Sequence, residues 1–295
     1  MISKNTPAID TSDLPMDVPN NIRTFVSMVR EGYSTQQGSF KHWKKAITEI
    51  VSNSPAMHFI LCVAVGATMR PLIPTMPGGI LHLRGLSTTG KSIALQTVLS
   101  LRADPSDMTW CFDMMSTVKW YTVAAENNYL CLDDVHMAIL PENGACKPMS
   151  PSFFNQFEEL NSPHVTIISS SVPGISTLNG HAFIGGVEID SREFPLWPTP
   201  HGGSPWWMDQ WIQTLKLNYG QCRDKILDSL SNQSEMWLEI YEREMKKMPS
   251  KLSPAQQAIF VQAEMGRIWL NTALELGIEK NVVADKLKST LRSKS

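Results

Sequence analysis

Hydrophobic and polar positions change their spacing along the chain, and these changes mark the elements that the sequence predicts. Residues 39–52 place Trp43, Ile47 and Ile50 at helical spacing, which predicts an amphipathic helix. A second stretch opens on a proline and is apolar almost throughout, which predicts a buried helix over residues 56–69. Two helices therefore precede the first predicted strand, and a shorter helix is expected over residues 21–32.

The middle of the chain alternates short apolar runs with helical patterns, which is typical of a parallel α/β sheet. Strands are predicted over residues 79–84, 109–112, 129–134 and 164–171, with a further apolar run at 186–189. Helices are predicted over residues 93–100, 116–127 and 152–161, and a loop is predicted over 141–151. Ligands of such sheets bind at the carboxyl ends of the strands, so functional groups are expected there.

Helical spacing dominates the last third of the chain. Helices are predicted over residues 208–217, 219–248 and 254–276, and a basic tail follows from Lys280. A stretch rich in Pro, Gly and Trp, residues 198–207, separates these helices from the strands and indicates a boundary.

The segment between the first strand and its helix fits the phosphate-binding pattern G-x-x-x-x-G-K-[ST], known as the P-loop. Its glycines let successive backbone N–H groups point at phosphate oxygens, and the helix N-terminus adds partial positive charge. Lys91 is expected to reach the β- and γ-phosphates, and Ser92 to place its hydroxyl on Mg²⁺. The residues expected to contact the nucleotide are Gly85, Ser87, Thr88, Thr89, Gly90, Lys91 and Ser92.

A second acidic element supports a nucleotide site. The apolar run at 129–132 ends in Asp133 and Asp134, which is the Walker B pattern. Asp133 is expected to hold Mg²⁺, directly or through water, and Asp134 to orient or deprotonate the attacking water. The alternative is a strand that runs into a helix N-cap, because aspartate favours that position as well.

Two further side chains are candidates for catalysis. Ser170 lies at the end of a strand expected beside the P-loop and Walker B strands, where its hydroxyl could contact the γ-phosphate or the water; the alternative is a serine-rich turn. Arg192 could act in trans as an arginine finger on a neighbouring subunit. Its alternative is a surface ion pair with Asp190 or Glu193.

Composition narrows the class of protein. The 295 residues carry a net charge of -2, so any contact with DNA must use local patches such as Lys119, Lys147 and the tail from Lys280 to Lys294. The five cysteines form no C-x-x-C pair, which indicates reduced thiols in a cytoplasmic protein. We find no signal peptide, and the most apolar window, residues 57–67, is too short to span a bilayer, so no membrane partner is expected.

At this point the chain resembles a family, the helicase-like P-loop ATPases of phages, plasmids and integrated mobile elements, a group catalogued as a domain of unknown function. The order of the segments carries the resemblance over roughly residues 55–279. An apolar helix with Pro-Leu is followed by a loop of the G-x-S-S-x-G-K-T-T type at 85–93 and a Leu-Asp-Glu-like strand at 132–134. A serine-ended strand, a Gly…Arg…Pro segment at 185–195 and a helix ending in Leu-Gly follow.

The resemblance implies an α/β P-loop NTPase core of the AAA+ or helicase-like type, with ATP and Mg²⁺ as ligands. It also implies a homo-oligomer, expected to be a hexamer, that acts as a motor or remodeller in mobile-element DNA replication. The sequence departs from the family at Asp134, where glutamate is usual, at Ile93, where a second threonine is usual, and in the loop over residues 138–151.

Two functions remain open on the sequence. The first is a ring-forming ATPase that translocates on or remodels DNA. The second is a nucleotide-controlled interaction module, such as a helicase loader or anti-host factor, that turns ATP over slowly and binds a replication or host protein. A small-molecule kinase is disfavoured because no arginine occurs between Arg102 and Arg192, whereas kinase lids carry several.

These assignments divide the chain into five regions. They are a flexible N-terminal segment at 1–20, an N-terminal helical region at 21–74, a P-loop ATPase core at 75–200, a C-terminal helical region at 201–279 and a basic tail at 280–295.

Overall fold

The computed structural model describes eleven stretches of the chain. They are residues 36–70, 73, 75–86, 89–105, 110–111, 129–133, 137–139, 146–148, 165–172, 186–197 and 206–294. The helices predicted over 21–32, 116–127 and 152–161 lie outside these residues, as do the site candidates Ser87, Thr88 and Asp134.

The described residues form eight helices and seven strands. The helices are α1 (Phe40–Asn53), α2 (Pro55–Thr68), α3 (Lys91–Leu99), α4 (Trp206–Leu217), α5 (Arg223–Asn232), α6 (Ser234–Lys246), α7 (Pro254–Leu274) and α8 (Val282–Lys294). The strands are β1 (Ile80–Arg84), β2 (Trp110–Cys111), β3 (Tyr129–Asp133), β4 (Met137–Ile139), β5 (Cys146–Pro148), β6 (Thr166–Ser171) and β7 (Gly186–Asp190).

Five of the strands form one parallel sheet in the order β2-β3-β6-β1-β7. The expectation of a parallel sheet is therefore confirmed, as is the expectation that β6 lies between the strand before the glycine-rich loop and the strand that ends in Asp133. All five carboxyl ends meet at one edge, because parallel strands run in the same direction. That edge carries every described candidate site residue.

Every residue of helix α2 after Pro55 is buried, as its apolar pattern predicts. Ser54 caps it by accepting a hydrogen bond from the backbone N–H of Met57, and Pro55 occupies the first turn. Its partner is α7, which packs along it and also reaches the sheet. The side chain of Gln262 on α7 accepts from Thr166 at 3.0 Å and donates to the carbonyl of Pro77 at 3.0 Å.

Three parts of the chain differ from the prediction. The predicted helix over 219–248 is two helices, α5 and α6, which separate at Gln233 where the backbone leaves helical geometry. Polar residues of low helix propensity, Ser231, Asn232 and Ser234, surround that break. The predicted loop over 141–151 contains β5, which pairs antiparallel with β4.

The basic tail is the third difference, because it contains helix α8, which the sequence pattern did not predict. Val283, Ala284 and Leu287 are buried, at a spacing that forms one apolar face. Lys286 on the same helix donates to the Glu193 carboxylate at 2.8 Å. The positive charge of this segment is therefore held on a packed helix close to the end of β7.

Two glycines allow α2 and α7 to approach each other closely. A Cβ on Gly66 of α2 would lie 2.1 Å from the carbonyl oxygen of Gln262, and a Cβ on Gly266 of α7 would lie 1.9 Å from the carbonyl oxygen of Cys62. Backbone cannot yield to such contacts without separating the helices. Only glycine therefore fits at the two points where the helices cross.

Gly66→Ala should lower the free energy of unfolding by at least about 2 kcal/mol, because the added methyl group overpacks a fully buried contact. The measurement is urea-induced unfolding followed by circular dichroism. Gly277→Ala is the matched control, since nothing lies within 4 Å of its added Cβ. Equal stability of the two variants would contradict the close crossing.

Candidate functional site

The loop from Gly85 to Ser92 joins β1 to α3 at the carboxyl edge of the sheet. Gly85 has φ +147° and Gly90 has φ +75°, conformations that favour glycine. Both glycines also face close neighbours, because a Cβ on Gly85 would lie 1.8 Å from Ser191 Oγ and one on Gly90 would lie 2.2 Å from Trp197 Nε1. The backbone geometry and the packing thus both require glycine at the two positions that the sequence pattern marks.

Lys91 is buried and its amine lies against the loop that precedes it. Nζ donates to the carbonyl oxygens of Gly85 at 2.9 Å and Leu86 at 2.8 Å. The Leu86 carbonyl also accepts from the hydroxyl of Thr89 at 2.9 Å. The loop is therefore closed on itself by a cation that sits at the first position of α3, while Ser92 next to it is exposed.

Asp133 and Ser170 lie side by side at the ends of neighbouring strands. Asp133 is the last residue of β3 and Ser170 the last but one of β6, and the Ser170 hydroxyl donates a hydrogen bond to Asp133 Oδ1. β6 separates β3 from β1, so the two outer strands are about 10 Å apart. This places Ser170 between the carboxylate and the strand that carries the loop.

The serines on either side of Ser170 point to the opposite face of the sheet. There both contact His82 of β1, whose Nδ1 lies 2.9 Å from Ser169 Oγ and whose Nε2 lies 2.9 Å from Ser171 Oγ. His82, Ser169 and Ser171 are fully buried. An unpartnered buried hydroxyl costs about 1–3 kcal/mol, so these contacts make a serine-rich strand end acceptable inside the sheet.

A chain of charges runs along the β1–β7 side of the same edge. Arg84, directly before Gly85, lies 3.0 Å from Glu188 Oε1 and 2.9 Å from Asp190 Oδ2. Asp190 also accepts from the guanidinium of Arg192, with Nη2 at 2.7 Å. The Arg192 hydrogen bonds hold the pKa of Asp190 at about 2, although partial burial opposes the shift. Asp190 is therefore ionised between two arginines.

Arg192 lies at the predicted edge of the sheet, with 69% of its side chain exposed. It pairs with Asp190 of its own chain, which is the ion-pair alternative that the sequence left open. The ion pair with Asp190 is the contact that Arg192 makes within a single chain. Because its side chain is exposed, Arg192 can exchange Asp190 for another partner.

The segment after β7 fastens the glycine-rich loop from one side. The Trp197 indole donates to the carbonyl of Gly90 at 3.1 Å. Its neighbour Leu196 accepts, through its carbonyl, from the hydroxyl of Ser54 at 2.8 Å. The loop is thereby connected to the junction of α1 and α2, a link that no sequence pattern indicated.

The structure brings together most of the described candidates at one edge: Gly85, Thr89, Gly90, Lys91, Ser92, Asp133 and Ser170. The side chains that sequence reasoning missed are His82 and Trp197, because each acts through a contact made far along the chain. The isolated histidine in a β-strand pattern was the one available signal for His82.

The oxygen donors at this edge suit a Mg²⁺–nucleotide complex. Ser92 and Asp133 offer a hydroxyl and a carboxylate, and Mg²⁺ typically takes one or two such ligands together with phosphate oxygens and water. Among the residues that the structure describes, no three His, Cys, Asp or Glu side chains are placed to bind a metal by themselves. A hydroxyl and a carboxylate are donor types that fit a Mg²⁺–nucleotide complex.

Comparison with known proteins gives two similarities. A family model described as "Domain of unknown function (DUF927)" matches residues 20–121. A solved structure described as the SCCmec type IV Cch active helicase has a TM-score of 0.61 at 14% identity, and covers 88% of this chain and 50% of its own. This chain thus spans about half the length of that helicase. No curated protein sequence matches the chain significantly.

These similarities define a class of fold. At 14% identity the structural likeness shows a shared architecture, a mixed α/β fold with a parallel sheet. Among the described residues, no helix has both the length and the apolar character that a membrane span requires.

Proposed function

We propose that the chain is a P-loop ATPase of the AAA+ or helicase-like type that acts on DNA in phage or mobile-element replication. The observation that supports it best is the glycine-rich loop at the end of β1 with Asp133 and Ser170 at the ends of the two next strands. The likeness to the SCCmec helicase supports the same class. ATP, rather than GTP, and the ring-forming, hexameric assembly rest on the family resemblance.

The proposal assigns roles to the side chains of the edge. The loop N–H groups and the N-terminus of α3 would hold the phosphates, and Lys91 would contact the β- and γ-phosphates. Ser92 and Asp133 would hold Mg²⁺, which supplies charge neutralisation between the phosphates. Ser170 would contact the γ-phosphate or the water, and Asp134 would orient or deprotonate that water.

Nucleotide binding would require the Lys91 amine to change its hydrogen-bond acceptors. Its amine contacts the carbonyls of Gly85 and Leu86 in this structure, and phosphate oxygens are stronger acceptors because they carry full negative charge. The lysine would therefore exchange these carbonyls for the phosphate oxygens of a bound nucleotide.

Lys91→Ala should abolish tight binding of ATP, because it removes the one side-chain cation that the loop itself places at the γ-phosphate. The measurement is titration with a fluorescent ATP analogue in the presence of Mg²⁺. Lys251→Ala is the control, since Lys251 is exposed in the turn before α7. Parent-like affinity in the Lys91→Ala variant would contradict the assignment of the loop.

Arg192 can complete a neighbour's site only if it leaves Asp190. We therefore expect Arg192→Ala to bind ATP normally and to lose hydrolysis, by a factor on the order of 10³–10⁵ for an arginine finger. Mixing it with Lys91→Ala protein should restore part of the activity, because a Lys91→Ala subunit still supplies an intact Arg192 to its neighbour.

The ion pair within one chain predicts a different outcome for the same experiment. If Arg192 serves only Asp190, the Arg192→Ala variant keeps full turnover and mixing changes nothing. Lys251→Ala, at an exposed position in the turn before α7, controls for loss of a surface cation. Full ATPase activity in Arg192→Ala would remove the trans finger from the proposal.

DNA binding would use the basic residues that lead into and lie on α8, because the net charge of the chain is -2. Lys280 is exposed directly before that helix. We expect ATP turnover to rise in the presence of DNA, and DNA affinity to fall steeply with salt. Lys280→Glu should weaken binding and reduce the salt slope by about one unit.

Lys251→Glu makes the same charge change away from α8 and should leave DNA binding unaltered. Binding is measured by fluorescence anisotropy with labelled DNA at several salt concentrations. If DNA does not change the rate of ATP turnover, and no DNA binds in the presence of ATP, the result would favour the nucleotide-controlled interaction module. The aspartate at position 134, where glutamate is usual, is the feature that favours that second function.

A further inference from the structure

Three consecutive serines end the strand that lies beside the glycine-rich loop, and they do not share one face. Ser169 and Ser171 point to one side of β6 and Ser170 points to the other, as the alternation of a strand requires. All three are fully buried. The position of Ser170 therefore depends on what holds the two serines that flank it.

A single side chain contacts both flanking hydroxyls. His82 stands opposite Ser169 in the parallel pairing of β1 with β6, and its ring reaches forward so that Nδ1 meets Ser169 and Nε2 meets Ser171, each at 2.9 Å. The ring thus bridges two positions of the neighbouring strand across the one residue that faces Asp133. Rotation or sliding of the strand end would break both contacts.

We infer that His82 is a positioning residue, which fixes the end of β6 so that Ser170 stays hydrogen-bonded to Asp133 beside the glycine-rich loop. This inference rests on the proposed ATPase function and assigns it a residue on the face of the sheet opposite to Ser170. His82 contacts neither nucleotide nor metal in this account; it acts through Ser169 and Ser171.

The location of His82 on β1 gives this contact a second effect. The same strand leads into Gly85 after two further residues, so the ring connects the backbone that carries the loop with the backbone that carries Ser170. Glu188 of β7 stands opposite His82 on its other side and pairs with Arg84. Polar side chains of three adjacent strands therefore meet on this face, where a sheet core is usually apolar.

The test separates positioning from simple satisfaction of buried polar groups. His82→Leu alone leaves two hydroxyls without this partner and should destabilise the protein. The triple variant His82→Leu, Ser169→Ala, Ser171→Ala removes the ring together with both hydroxyls that it contacts. Its thermal unfolding midpoint should therefore return towards that of the parent protein. If His82 positions Ser170, the triple variant still turns ATP over about 10–100-fold more slowly, with unchanged nucleotide affinity.

A matched control replaces another buried histidine by leucine. His58 on α2 is buried, and its burial together with the charge of Arg267 lowers its pKa to about 4, so it is neutral at the assay pH. His58→Leu should keep parent turnover. Recovery of both stability and turnover in the triple variant would overturn the inference and would leave His82 with a structural role alone.

Two further outcomes are decided by the same set of proteins. If the triple variant does not fold, Ser169→Ala and Ser171→Ala each remove one contact to His82, and parent turnover in both overturns the inference. A parent that binds no nucleotide defeats the proposed function itself. If the parent protein hydrolyses ATP and the triple variant does so at the same rate, only the inferred role of His82 is contradicted.

Discussion

The position of β1 between β6 and β7 is the constraint on which the rest of the structure depends. Parallel pairing on both sides fixes the position of Arg84, the last residue of β1, and the glycine-rich loop begins at the next residue. β6 then brings Ser170 beside the loop, and its other neighbour brings Asp133 beside Ser170. A shift of one residue in either pairing would turn these side chains to the opposite face.

The three serines that end β6 are accepted inside this sheet because each has a partner on an adjacent strand. Ser170 is hydrogen-bonded to Asp133, and Ser169 and Ser171 are hydrogen-bonded to His82. The end of β6 is therefore buried with all three serine hydroxyls partnered. Such a network rigidifies the region it occupies, because no member can move without leaving another unpartnered. The glycine-rich loop is therefore attached to a stiff support, and its own closure by Lys91 is the local, exchangeable part of the site.

Local patterns predicted much of this fold, and contacts between distant residues account for the rest. The apolar stretch of α2 and the β-branched run of β6 are visible in the sequence, and the glycine pattern located the loop. The separation of α5 from α6 was missed because helical spacing continues across Gln233. The role of His82 depends on strand register, which periodicity within a single strand does not contain.

The crossing of α2 with α7 also has a consequence for how the chain folds during synthesis. These helices are separated by almost two hundred residues, so the sheet strands leave the ribosome long before the partner of α2 does. Until residues 254–274 emerge, the nascent chain holds a largely apolar helix with its main packing surface uncovered. Contacts of such high sequence separation are slow to form, and the uncovered helix exposes the incomplete chain to aggregation or chaperone capture.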